Sequence, residues 1–178
     1  MKLPSIIENA FRAAMLDVDF YNRAEIDTSL NIQAATVVVV ANGLAGVGSA
    51  IAAESTSAAE IGIAMALGIL SGVVGWLVWS FVANLVGTRV FHGTSDFGQM
   101  RRVIGFAYTP LAIGVIPWLG FIGAVWVLLA AIIAIREGMD FSTKRSVATM
   151  VTGWGVWMVT TLALNIVLGW DMRSSWPF

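Results

Sequence analysis

The sequence predicts an all-α integral membrane protein, a bundle of five membrane-crossing helices with an interfacial amphipathic helix at its N-terminal end. Three observations carry this. Of 178 residues, 58% are hydrophobic and 12% charged, against roughly 25% charged in a typical soluble domain. Such a chain has too few charges to cover a globule in water. The apolar residues are gathered into long uncharged runs, each near the length of a bilayer crossing. The basic residues fall in alternate gaps between those runs, as they do when a chain crosses repeatedly with one side retained.

Residues 1–30 are expected to be cytoplasmic and interfacial. Over residues 5–18, Ile6, Ile7, Ala10, Phe11, Ala14, Met15 and Val18 recur at steps of three and four, while Glu8, Asn9, Arg12 and Asp17 occupy other faces. Ser5 with Glu8 has capping-box spacing. Such a helix lies in the membrane interface or packs on the protein's own cytoplasmic face, and the two are compatible. The early charges and Pro4 leave no continuous apolar run of signal-peptide type.

Residues 31–170 are expected to form the membrane domain, with spans at about 32–53, 61–90, 103–116, 118–135 and 147–168. The first run ends at Glu54. The second is longer than a perpendicular crossing needs, so it tilts or its far end leaves the membrane. Asn84 and Thr88 near that end favour the second option. Asp96 with Gln99 marks a helix start. The run from Val103 to Ile135, roughly 50 Å as a single helix, is too long for one span and short for two. Pro117 near its centre predicts two short helices with a tight turn at Pro117, Trp118 and Gly120, and Pro110 is expected to kink the first of them. Residues 171–178 form a short external tail.

Charge decides the ambiguous run. Lys2, Arg12 and Arg23 precede the first span; Arg89, Arg101 and Arg102 lie around the second gap to be retained; Arg136, Lys144 and Arg145 precede the last span. Only Arg173 of the ten basic residues falls elsewhere. Both flanks of the 103–135 run are basic, so an even number of crossings separates them. The result is five crossings, with the N-terminus cytoplasmic and the C-terminus external.

The candidates for chemistry are sparse. The net charge of −1 excludes a basic nucleic-acid binder, and the absence of cysteine excludes disulfides and thiolate sites. His92 stands alone in a polar loop, without a positioned partner for acid–base work. Glu54 and Glu60 flank one outer turn, but a metal site needs a fuller ligand set; they read as span terminators. No charge lies well inside a span, where it would mark a transport path. Gln33, Asn42, Asn84 and Asn165 are the intramembrane polar residues. Gly68 and Gly72 have the spacing that lets helices approach closely. Gly43, Gly46 and Gly48 lie in an apolar span with no βαβ unit, so they are packing residues rather than a nucleotide loop. Of eight tryptophans, Trp118, Trp170 and Trp176 fall at outer boundaries, where indoles anchor. Trp76, Trp79, Trp126, Trp154 and Trp157 lie deeper, as packing bulk or as an aromatic pocket for an apolar ligand.

The stretch Arg102-Val103-Ile104-Gly105-Phe106-Ala107-Tyr108-Thr109-Pro110 resembles the Yip family of small five-span membrane proteins. The layout is similar over residues 5–170: an N-terminal helical segment, a long second span, an arginine-led third span, and a basic loop (Arg136-Glu137 to Thr143-Lys144-Arg145) before the last. The resemblance implies a kinked third span built on Arg102, Gly105, Tyr108 and Pro110. It is to the short prokaryotic members, and so implies a bacterial cytoplasmic membrane. Eukaryotic members are associated with Rab-type GTPases and vesicle traffic. This sequence lacks their Asp-Leu-Tyr-Gly-Pro element and spaces Tyr108 and Pro110 more closely, so the resemblance implies architecture rather than that partner.

The function expected is a non-enzymatic membrane scaffold or accessory subunit. It acts through helix packing (Gly68, Gly72) and basic cytoplasmic loops, with Arg102 meeting lipid phosphate or a carboxylate at the inner interface. Its partners are membrane lipids and either a protein partner or further copies; no cofactor and no metal are expected. The alternative is a small homo-oligomeric channel or lipid or neutral-solute transporter, its path lined by Asn42, Asn165, Trp154 and Trp157.

Overall fold

The computed structural model describes residues 3–55 and 57–168, with side chains described for 5–55 and 57–159. The described residues contain helices and turns and no strand: α1 (Leu3–Ala14), α2 (Val18–Ile26), α3 (Asn31–Ala52), α4 (Ala58–Arg89), α5 (Phe97–Ala107), α6 (Gly120–Gly138) and α7 (Thr143–Leu168). Two 3-10 segments, Thr28–Leu30 and Thr109–Val115, lead into α3 and out of α5. Three described stretches, Thr28–Ala52, Ala58–Arg89 and Gly120–Gly138, are each long and apolar enough to cross a bilayer.

The N-terminal segment differs from the single helix expected over 5–18. It is a hairpin of two helices. α1 begins at Leu3, so Ser5 lies inside it rather than at its cap. Leu16 takes a left-handed backbone (φ 59) and stops the helix. Asp17 then starts α2, its carboxylate accepting from the Phe20 N–H at 3.1 Å while pairing with Arg12 Nε at 2.6 Å. The apolar face of α1 is divided as a result. Ile6 and Ala13 turn inward and Asn9 is buried with them, whereas Ile7, Phe11 and Met15 are 61–66% exposed.

α4, at 32 residues, is about 48 Å long. That exceeds a hydrocarbon thickness of about 30 Å. Beyond it, Ser95 Oγ donates to Asn84 Oδ1 at 3.2 Å, which folds the connecting loop back on the helix. α5 starts in a full capping box: the Gln99 N–H donates to Asp96 Oδ1 at 2.9 Å, and the Asp96 N–H to Gln99 Oε1 at 2.7 Å.

The kinked helix expected over 103–116 is instead a change of helix type. α5 ends at Ala107, and seven residues of 3-10 helix follow. Pro110 has no N–H for the Phe106 carbonyl, and the Thr109 hydroxyl donates to that carbonyl at 2.7 Å instead. Seven residues exceed the usual 3-10 run of about three or four. This one is walled in: its Pro110, Leu111 and Gly114 are buried, and a Cβ on Gly48 of α3 would overlap the Gly114 carbonyl oxygen. The turn at Pro117 lies between this segment and α6, with Trp118 left-handed (φ 74) and 86% exposed.

α3 and α4 pack as an antiparallel pair through small residues. A Cβ on Gly68 would lie 2.7 Å from the Asn42 carbonyl, and one on Gly72 would overlap the Asn42 side chain. α7 closes the other side of α4: the Trp79 ring lies over Gly153 and the Trp157 ring over Gly75. α5 is wedged in the middle, with Val103, Ile104, Phe106 and Ala107 fully buried.

Candidate functional site

The polar centre of the described structure is Arg102, on the second turn of α5. A helix leaves its last carbonyls without backbone donors. At the end of α2 the Asp27 N–H returns to the Arg23 carbonyl, but the carbonyls of Ala24 and Glu25 point into the interior. Arg102 meets both: Nε donates to Ala24 at 2.9 Å, and the guanidinium donates to Glu25. A third donor reaches Asn31 Oδ1 at 3.4 Å. A cation at a helix C-terminus also complements the helix dipole. Arg102 is 5% exposed. The partner expected from the sequence is a lipid phosphate or a carboxylate; in the structure Arg102 donates to two peptide carbonyls and the Asn31 side chain of the same chain.

Carboxylates gather beside the clamp. Burial pushes the Glu25 carboxyl up, and Asp140 and then Glu137 push the same way while Arg102 pulls it down. Glu137 is held by Arg136 in an ion pair. Asp17 is held below the ordinary carboxylate range by its hydrogen bond from Arg12.

A second buried chain of hydrogen bonds docks α1. Asn9 Nδ2 donates to Gln33 Oε1 at 2.8 Å, and Arg23 donates to Asn9 Oδ1 at 2.6 Å. This joins α1, α2 and α3. Asn9 sits three residues after Ile6 and four before Ala13, so its position on the buried face was available as spacing; its polarity hid it. Phe20, fully buried, lies beneath both Arg12 and Arg23 and packs edge-on against Phe106, with ring centres 4.8 Å apart.

The other residues singled out from the sequence fall as follows. Gly105 lets α5 wedge against its neighbours: a Cβ there would lie 3.0 Å from the Ala34 Cβ and 3.2 Å from the Trp76 indole nitrogen. Tyr108 stands edge-on to Trp79 at 6.0 Å, and Pro110 opens the 3-10 segment. Asn42 is buried, and its amide donates to the Val38 carbonyl at 2.8 Å while filling the notch over Gly72. Trp154 is partly buried against the core. The side chain of Asn165, and Trp170 and Trp176 altogether, lie outside the described residues. His92 is exposed and left-handed (φ 57) at the end of α4. Glu54 ends α3 in the same conformation, and Glu60 sits exposed in the first turn of α4.

Two tryptophans tie distant elements by their indole N–H groups: Trp76 to the Arg101 carbonyl and Trp126 to the Ala14 carbonyl, both at 2.9 Å. Among the described residues, Trp79 Nε1 and the hydroxyls of Ser80 and Thr149 are buried without a partner. No group of three metal-ligating side chains occurs among them.

These features define a class: a helical membrane protein in which a short, arginine-bearing helix is held between longer apolar helices and clamps an N-terminal hairpin. Within that class the chain belongs to the Yip1 domain family, whose model matches residues 18–166. The match begins at the first residue of α2 and takes in the Arg102 clamp, the 3-10 segment and most of α7. It draws no distinction between prokaryotic and eukaryotic members. No curated protein and no solved structure matches the chain.

Proposed function

We propose that the chain is a non-enzymatic scaffold or accessory subunit of a membrane assembly. It works through helix packing and basic cytoplasmic loops, with lipids and either a protein partner or further copies as neighbours. The observation that carries this reading is the use made of most of the buried polar side chains, the uncharged Trp79, Ser80 and Thr149 being the exceptions among the described residues. Arg102, Asn9, Gln33 and Trp76 each join one element to another, and Asn42 fills the notch over Gly72 between α3 and α4. Polar groups committed to joinery are not free to move protons or ions. Meanwhile α4 and α6 present apolar side chains outward, Leu70, Phe81, Phe121 and Leu129 among them, as helices in lipid or against a partner do.

Five crossings, with the N-terminus cytoplasmic and the C-terminus external, remain the topology that best fits the charge distribution. α5 with its 3-10 extension is the third. It rises about 30 Å counted from Phe97 and about 22 Å counted from Val103. A broken helix at membrane depth is tolerated where protein encloses it, and α3 encloses this one. The outward row of Ile7 and Phe11 on α1 and Met15 just beyond it supports contact of the N-terminal hairpin with the interface.

The test is reconstitution of the full chain into liposomes, combined with a photoreactive side chain at Leu129 in native membranes. The scaffold reading expects no lipid scrambling and no ion or solute flux, and a discrete crosslinked species heavier than the chain. Flux or scrambling abolished by Asn42→Leu would replace it with the transport reading.

A further inference from the structure

A groove of about 580 Å³ runs between α3 and α4 beside the start of α5, within the roughly 300–1,000 Å³ of small-ligand sites. Ile32 and Val39 of α3 and Leu77 of α4 form its apolar walls, and Trp76 is part of the lining. The polarity along those walls is already spent. Thr36 Oγ1 donates to the Ile32 carbonyl at 2.8 Å, and the Trp76 indole to the Arg101 carbonyl. Arg101 and Asn31 complete the lining.

Arg101 differs from its neighbour Arg102. Its guanidinium makes no ion pair with a carboxylate among the described residues, whose ion pairs are Arg12–Asp17 and Arg136–Glu137. It lies over the Phe97 ring at 5.9 Å, and Phe97 is braced edge-on by Phe81. The groove is therefore an apolar trough with one held, unneutralised cation.

We infer that this groove binds an anionic phospholipid, one acyl chain along Ile32, Val39 and Leu77 and the headgroup phosphate on Arg101, with the Asn31 amide as a second donor. The charge pattern selects this occupant. A partner helix would have to place a carboxylate at the rim of the trough as well as an apolar face along it. A phospholipid carries its negative charge at that depth already, joined to an apolar chain, and a guanidinium binds phosphate through charge-assisted hydrogen bonds. Thr28–Ala52 and Ala58–Arg89, which form the walls, are both long and apolar enough to cross a bilayer, so the trough runs along the direction of an acyl chain. The inference rests on the membrane placement of α3 and α4 and not on the scaffold role; inert liposomes would leave it standing.

The experiment is native mass spectrometry of the full chain in mild detergent, with phosphatidylglycerol and phosphatidylcholine added in turn. Wild type should retain one phosphatidylglycerol molecule in preference to phosphatidylcholine. Arg101→Gln should reduce that retention by about tenfold, the loss of one charge-assisted contact. Val39→Trp, which fills the trough, should reduce retention of both lipids, with thermal unfolding confirming that each variant is folded. Equal retention of the two lipids by wild type, or unchanged phosphatidylglycerol retention in Arg101→Gln, would overturn the proposal. So would a two-chain species lost on Val39→Trp with no lipid bound, which would assign the groove to a second copy.

Discussion

Arg102 Nε donates to the carbonyl of Ala24 at 2.9 Å, joining two helices whose linked residues are 78 positions apart in the chain. Removing the donor leaves the Ala24 and Glu25 carbonyls buried and unpaired. Arg102→Met is expected to destabilise the protein by about 3 kcal/mol, since hydrogen bonds to charged groups are among the stronger ones. Limited proteolysis around residues 27–30 should quicken as the hairpin loosens. Arg102→Lys should recover only part of the loss, because a single ammonium cannot reproduce the fork. A methionine variant as stable and protease-resistant as the parent would show the clamp to be idle.

The absence of cysteine makes topology directly measurable. Single cysteines at Ser55 and Leu119 are expected to react with a membrane-impermeant maleimide from outside intact cells. Those at Thr94 and Asp140 should react only after permeabilisation. Labelling of Leu119 from the same side as Thr94 would remove two crossings and leave three.

Glycines with similar helical settings should answer differently to the same substitution. Gly48→Ala forces α3 away from the Gly114 carbonyl and is expected to cost about 2 kcal/mol, as overpacking does. A Cβ on Gly62 meets nothing within 4 Å, so Gly62→Ala should gain up to about 1 kcal/mol from helix propensity. Denaturation curves of the two variants in one detergent decide this, and equal shifts would refute the close approach.

Two carboxylates of the hairpin should give opposite pH dependence. Asp17 is held low by Arg12, so its contribution is present above the ordinary aspartate value of 3.8 and lost as pH falls through its lowered value. Glu25 is held high by burial, so its contribution is present below the ordinary glutamate value of 4.5 and lost as pH rises through its raised value. Asp17→Asn should therefore weaken the rise in stability with pH in the acid range. Glu25→Gln should flatten the decline above it and leave the protein more stable at neutral pH. Melting curves across pH 3–8 (roughly the carboxylate range and above it) check both; matching profiles for the two variants would contradict the signs.

What was legible in the sequence was whatever depends on neighbours a few residues apart. The bounds of α3 and α4 follow from where the charges stop, the Asp96–Gln99 box from its three-residue spacing, and the break at Pro117 from the ring. The close approach at Gly68 and Gly72 was also readable as spacing. The remainder depends on partners far along the chain. Nothing near Arg102 announces that two carbonyls of α2 need its donors, so its sequence position suggests a lipid phosphate or a carboxylate instead. The hairpin was misread because Leu16 adopts a left-handed turn that its side chain does not favour. The helix change after Ala107 required knowing that Gly48 brings α3 against Gly114. Arg101 and Arg102 are adjacent and chemically alike, and only the structure separates the satisfied one from the open one.

The 3-10 segment alters how substitutions should be tolerated along α5 and its extension. In an α-helix successive residues turn by about 100°, and in a 3-10 helix by about 120°. Up to Ala107, then, tolerance in a saturation scan should rise and fall every 3.6 positions. From Thr109 it should switch to every third, as one column of residues stacks against α3 and another faces away. Leu111 and Gly114 already form an inward column, and Ile113 between them faces away. A mutational profile that kept a single period from Phe97 to Ile116 would describe an unbroken helix. The phase jump at Tyr108 is the genetic signature of the pitch change, visible without a structure.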